Sequence, residues 1–208
     1  YGIRTVAQLC RASRPTLRKA WGSVLGETWW HWLRGDETPI PKTRRQNCGH
    51  QHILPPDLRH KEQARSVAIR LLHKAAARMR WEKYWCTKLT LDLKPPERPS
   101  VHFDVKLEPC QDTVRLLWHL AQLWERQPFE FIFCVGVTLG GLVKDGTVEE
   151  PLFELDRKRT RLAHTMDTIN RKQGHASIYY GSMHGVTDSA PRRIPFANVP
   201  DLDLPDIA

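Results

Sequence analysis

The residues best suited to chemistry in this 208-residue chain form one short alternating run, Cys48-Gly-His50-Gln-His52. The two-residue period of a strand would set all three side chains on one face, as zinc requires. A fourth ligand and the usual Cys-x-x-Cys spacing are missing, so no metal is expected there. Nucleotidyl transfer by two metals needs carboxylates clustered to hold the ions about 4 Å apart. No such set is visible in the sequence. Asp104, with His102 and Lys106 beside it, suits a solvated surface. No Gly-rich phosphate loop joins a strand to a helix, and no Ser-x-x-Lys or Gly-x-Ser-x-Gly occurs. The reading assigns no catalytic residue.

Binding chemistry is better represented. Gly2, Ile3, Arg4 and Thr5 lead into a helical segment, and exposed backbone amides at such a turn can hold a phosphate without reading a base. Lys42, Arg44 and Arg45 lie on an extended tether that could track a nucleic-acid backbone. The net charge of +9 is uneven. Residues 1–60 carry ten Lys/Arg against four Asp/Glu and residues 61–94 nine against three, whereas 95–150 carry five against nine. That asymmetry is the footprint of a polyanionic partner, with a merely well-solvated surface as the alternative.

The elements that must position these groups follow from periodicity. Short helical pieces at VAQLCRA, PTLRKAW and GETWWHWLRG, capped by Thr5 and Ser13, make a small all-helical unit over 1–35. A basic, Pro-containing linker follows over 36–47. From 48 to 143 we expect a strand at CGHQHIL and then a helix from about Lys61 to Arg80. Its stripe runs through Ala64, Val67, Ala68, Leu71, Leu72, Ala75, Ala76 and Met79. Next come strands at Trp85 to Lys94 and VHFDVKL joined as a hairpin, a helix from about Asp112 to Arg126, and a central strand in FEFIFCVGVTLGGL. The order is β-α-β-β-α-β: a four-stranded antiparallel sheet with two helices on one face, in the α+β class. On the other face Lys88, Thr90, His102 and Lys106 would be presented to a polyanionic partner. Residues 144–208 form a C-terminal extension. It should contain a helix that buries Leu155, Leu162, Met166 and Ile169, then short strands at ASIYYGSM and RRIPFANV and an acidic, frayed end.

No run of about eighteen apolar residues and no signal pattern occurs, so no membrane span is expected and a cytoplasmic setting is the default. Five scattered cysteines fit reduced thiols better than a disulfide framework. The chain opens at Tyr1 without an initiator Met and reads as a piece of something longer.

Taken in order, GIRTVAQL followed by WGSVLGETWWHWLRG resembles the helix-hairpin-helix-like thumb of Y-family, lesion-bypass DNA polymerases. RRQNCGHQHILPPDLR resembles the linker and first strand of their little finger, where a variant of Arg-Arg-Ser-Val-Gly-His commonly stands. LAHTMDTINRKQGHASIYYGSMHG and APRRIPFANVPDL resemble the C-terminal extension of a bacterial DinB/UmuC-like branch. The resemblance implies a primer-template DNA grip without sequence specificity, with His50 and His52 of the first strand among the DNA-contacting residues. It implies no cofactor in this piece and magnesium for the parent polymerase, whose palm and fingers are absent. Glu149-Glu150-Pro151-Leu152-Phe153 resembles a sliding-clamp peptide of the type Gln-Leu-x-Leu-Phe, keeping only the anchors Leu152 and Phe153. Tucking of those two side chains onto their own domain is the alternative. For the whole, the alternatives are a non-catalytic, polymerase-like accessory protein of damage-induced mutagenesis that recruits partners, and a stand-alone nucleic-acid-binding module.

Overall fold

The computed structural model describes residues 1–37, 46–149, 151–174 and 176–187. The chain divides into two units, Tyr1–Arg44 and Arg45–Ala208, with the boundary inside the expected linker.

In the first unit, α1 (Val6–Arg11), α2 (Arg14–Trp21) and α3 (Leu25–Trp32) start and stop where side chains can satisfy backbone groups. Thr5 and Gln8 form a reciprocal capping box on α1, and Ser13 caps α2, whose first turn holds Pro15. Gly26 lies within α3 and is buried. A Cβ there would collide with the carbonyl of Leu17, so glycine is what lets α2 and α3 approach so closely. Leu17 is fully buried, while on the surface Trp21 stacks on Trp29 at 5.9 Å between ring centroids and Trp29 meets Trp32 edge-on at 5.8 Å.

The second unit begins with β1 (Asn47–Ile53) and a short 3-10 turn, followed by α4 (Lys61–Trp81). Then come β2 (Tyr84–Lys94), β3 (Val101–Cys110), α5 (Thr113–Trp124) and β4 (Cys134–Gly140). The sheet order is β1-β4-β2-β3 and every pairing is antiparallel. Both β-α-β units are therefore split by one intervening strand. A two-residue strand, β5 (Val143–Lys144), adds to the start of β2 beyond the expected four. Helix α4 covers β1 and β4, and α5 covers β2 and β3. All eight apolar residues of the α4 stripe are buried, against Leu89, Leu91, Leu93, Val135, Val137 and Leu139 of the sheet.

The extension packs on this unit. Helix α6 (Glu154–Gln173) is fastened by Arg80 of α4, which donates through Nε and Nη2 to the Asp167 carboxylate at 2.6 and 2.9 Å and through Nη1 to Gln111 O and Thr113 Oγ1. His164 of α6 meets Gln111 at 2.9 Å, and Arg171 lies over the Trp81 ring. Two expectations fail here. Leu155 and Leu162 are 57% and 47% exposed and Ala163 is the buried residue of α6, because the contact runs along the flank that carries Asp167 rather than the leucine stripe. ASIYYGSM forms no strand; it is a turn leading to a 3-10 turn at Gly181–Met183, with Asn170 bonding both backbone groups of Ile178. The segment RRIPFANV and the acidic end lie outside the described residues.

Candidate nucleic-acid interface

Strand parity decides which side chains face away from the helices. Leu89, Leu91 and Leu93 point to α4 and α5, so Lys88, Thr90, Asp92 and Lys94 stand on the open face of β2. Register then brings their neighbours into rows: Lys88 opposite Lys106, Thr90 opposite Asp104, and Asp92 opposite His102. Lys88, Thr90, His102 and Lys106 are thus gathered as expected on one surface. On the far side of β2, β4 offers Gly136, Thr138 and Gly140, and β1 offers Asn47, Gly49 and Gln51. A Cβ on Gly49 would stand 2.7 Å from Thr138 Oγ1 and 2.9 Å from Val137 O. The central strand β4 thereby presents nearly bare backbone, as does the edge strand β1 at Gly49, flanked by longer side chains, a form that admits another backbone closely.

The electrostatics of this face differ from what the chain total suggests. Lys88 Nζ lies 3.3 Å from Asp104 Oδ2, and His102 Nδ1 bonds to Asp92 Oδ1. Three lysines (88, 94 and 106) face three carboxylates (92, 104 and 108). Of the nine Lys/Arg in residues 61–94, six belong to α4, on the opposite side of the sheet, where Arg70, Lys74 and Arg80 are buried. Net charge by itself carries no parity, although the helix expected from Lys61 to Arg80 already contained these six. Asp92, Lys94, Asp104 and Glu108 are the charged residues of this face that the sequence did not assign to the site, although the alternation of β2 and β3 already put them there.

His50 and His52 do not belong to the open face. They share parity with Cys48, whose thiol donates to Ala75 O of α4 at 3.6 Å, and with Val137 and Val135 opposite them. Burial, together with Lys74, Arg78 and Arg70 of α4, pushes the His50 pKa down to about 4, so it stays neutral at pH 7. Among the described residues no three His, Cys, Asp or Glu gather closely enough to hold a metal ion.

In the first unit the amides expected to receive a phosphate are partly engaged. Gln8 Oε1 accepts from the amides of Arg4 and Thr5 at 2.8 and 3.2 Å. Gly2 has φ +68, a left-handed turn residue ahead of a helix of only six residues. Lys42, Arg44 and Arg45 lie outside the described residues. Leu152 and Phe153 are 85% and 73% exposed, so they are not tucked against their own unit. Arg157 of α6 holds the peptide before them, donating to Pro151 O at 2.7 Å and Leu152 O at 2.9 Å. Among the described residues no helix is long and apolar enough to cross a membrane.

The impB/mucB/samB family C-terminal domain matches residues 45–152, which takes in the whole sheet and both covering helices. DNA polymerase IV of Moorella thermoacetica is 28% identical over 185 residues, covering 86% of this chain and 46% of that protein. DNA polymerase IV 1 of Halalkalibacterium halodurans is 26% identical over 196 residues, covering 87% and 46%. The chain thus spans slightly under half the length of these relatives. With a family domain that covers more than half of its residues, the chain belongs to the impB/mucB/samB family and carries that family's C-terminal domain.

Proposed function

We propose that this chain is the DNA-gripping portion of a Y-family, lesion-bypass DNA polymerase, holding primer-template duplex through its phosphates. The observation that carries this reading is the family domain across 45–152 folded so that the described elements of its own unit cover one sheet face with α4 and α5 and leave the other polar and partly bare of side chains. Similarity to proteins named DNA polymerase IV supports the same assignment. Phosphate contacts position a protein on duplex without specifying sequence, which suits synthesis across damaged templates. Lys88, Lys94 and Lys106 on the face, with Lys42, Arg44 and Arg45 before it, would supply up to six phosphate contacts. The chain adds no nucleotide by itself in this reading; magnesium and the catalytic carboxylates belong to the parent protein. Exposed Leu152 and Phe153 favour a second contact, insertion of the pair into an apolar pocket of a sliding clamp.

The test is duplex binding by fluorescence anisotropy across a salt series. Six contacts correspond to a slope of about −5 in log K against log salt, and sequence should matter little. A flat salt response sinks the proposal. For the clamp contact, Leu152→Ala with Phe153→Ala should abolish capture on immobilised clamp while leaving duplex affinity unchanged.

A further inference from the structure

On a face read as meeting phosphates, half of the charged positions are occupied by carboxylates. Asp104 holds Lys88 at 3.3 Å, and Asp92 holds the His102 ring; the Lys88–Asp104 pair is roughly half exposed on both sides. All four residues lie on β2 and β3 within three consecutive open-face rows, so a duplex crossing that face meets them together. Exposed pairs of this kind contribute little to folding. Their consequence is electrostatic. A cation already shared with a carboxylate releases fewer counterions when it meets a phosphate, and the carboxylate itself repels the phosphate.

We propose that Asp92 and Asp104 limit the affinity of the sheet face for DNA, by occupying Lys88 and His102 and so keeping the grip weak and exchangeable. This rests on the reading that the open face meets DNA. Lys106 makes no ion pair with a described residue and so remains the readily available cation in the same rows. The carboxylates are affinity-setting residues of the surface rather than structural ones.

The experiment compares wild type, Asp92→Asn, Asp104→Asn, Lys88→Ala, Lys88→Ala/Asp104→Asn and Lys88→Ala/Lys106→Ala. Binding to a fluorescein-labelled primer-template duplex is followed by anisotropy between 50 and 200 mM NaCl, with Glu125→Gln on the helix side as the long-range charge control. Asp104→Asn should tighten binding on the order of three- to ten-fold at the low-salt end and steepen the log–log slope by about 0.9, the value of one freed contact. That gain should vanish when Lys88 is alanine, which separates a pairwise effect from a general change in charge. Asp92→Asn should tighten binding by a smaller factor. If the aspartate variants bind as wild type does while Lys88→Ala/Lys106→Ala weakens binding, the face meets DNA and the proposal is wrong. Equal tightening with or without Lys88, or by Glu125→Gln, also overturns it. If the lysine pair itself has no effect, both the proposal and the reading beneath it fail.

Discussion

The two faces of the β1-β4-β2-β3 sheet are built from the same strands and treat charge in opposite ways. On the covered face, cations are taken out of water and fixed: Arg80 makes four hydrogen bonds, to Asp167, Gln111 and Thr113, and His50 is held neutral by burial and three cations of α4. On the open face, Lys88 pairs with Asp104 and His102 with Asp92 at the solvent-exposed surface. Formal charge in a sequence is therefore a poor guide to the field at a surface, because strand parity and helix packing sort it first. Most of the excess that made residues 61–94 look basic is on the side with the helices.

That contrast predicts variants that damage one face and spare the other. The largest loss should come from Leu91→Ala, which empties a site of zero exposure where helices meet sheet. About 2–5 kcal/mol should disappear in urea unfolding, with duplex affinity per folded molecule unchanged. Arg80→Ala follows closely. It strands the carboxylate of Asp167 and should cost about 3 kcal/mol, seen in the same assay, and should release α6 to proteolysis near 161–172. A loss of DNA affinity at full folding in either variant would break the separation of the faces.

Acid gives a weaker effect of defined sign. His73, buried beside Arg80 and Arg70, has its pKa pushed down to about 3, and His50 to about 4. Both bases are depressed in the folded chain, so the unfolded chain binds protons first as pH falls below the ordinary 6.5. Stability is then complete above about pH 7 and declines from 6.5 toward pH 4 by at most about 1.4 kcal/mol per pH unit for each histidine, less for the partly solvated His50. Thermal melts at pH 7.5 and 5 should differ, and His73→Gln should shrink the difference. Identical shrinkage in His102→Gln, on the open face, would erase the contrast. The smallest stability change belongs to Lys88→Ala and Lys106→Ala, within about 0.5 kcal/mol, measured by the same melts.

Much of the fold was legible because local periods and tertiary packing agree. Ala64 to Met79 recur at helical spacing and every one is buried; Leu89, Leu91, Leu93 and Val101, Phe103, Val105 alternate and face inward, the latter only half-covered because β3 is an edge. What failed depended on partners distant in sequence. Alternation put Cys48, His50 and His52 on one face, but only pairing with Val135, Val137 and Leu139 shows it to be the covered one. Leu155 and Leu162 look like a buried stripe until Asp167 is seen to fix the rotation of α6 by meeting Arg80, 87 positions away. Amide donors at Arg4 and Thr5 looked available because the sequence does not disclose that Gln8 turns back onto them. The interface was legible by the same logic in part: the polar parity of β2 and β3 marks its members, whereas the pairing that neutralises them needs the register.

The central claim, that the open sheet face rather than the helix side meets DNA, is tested most directly by two double variants in one salt series. Lys88→Ala/Lys106→Ala removes cations from the open face; Arg65→Ala/Arg126→Ala removes as many from α4 and the end of α5. The account predicts that the first weakens duplex binding several-fold at low salt and makes the slope shallower by between about one and two units, a full contact from Lys106 and a partial one from the Asp104-paired Lys88. The second should match wild type. If the helix-side pair weakens binding as much as the open-face pair, or more, the account is contradicted.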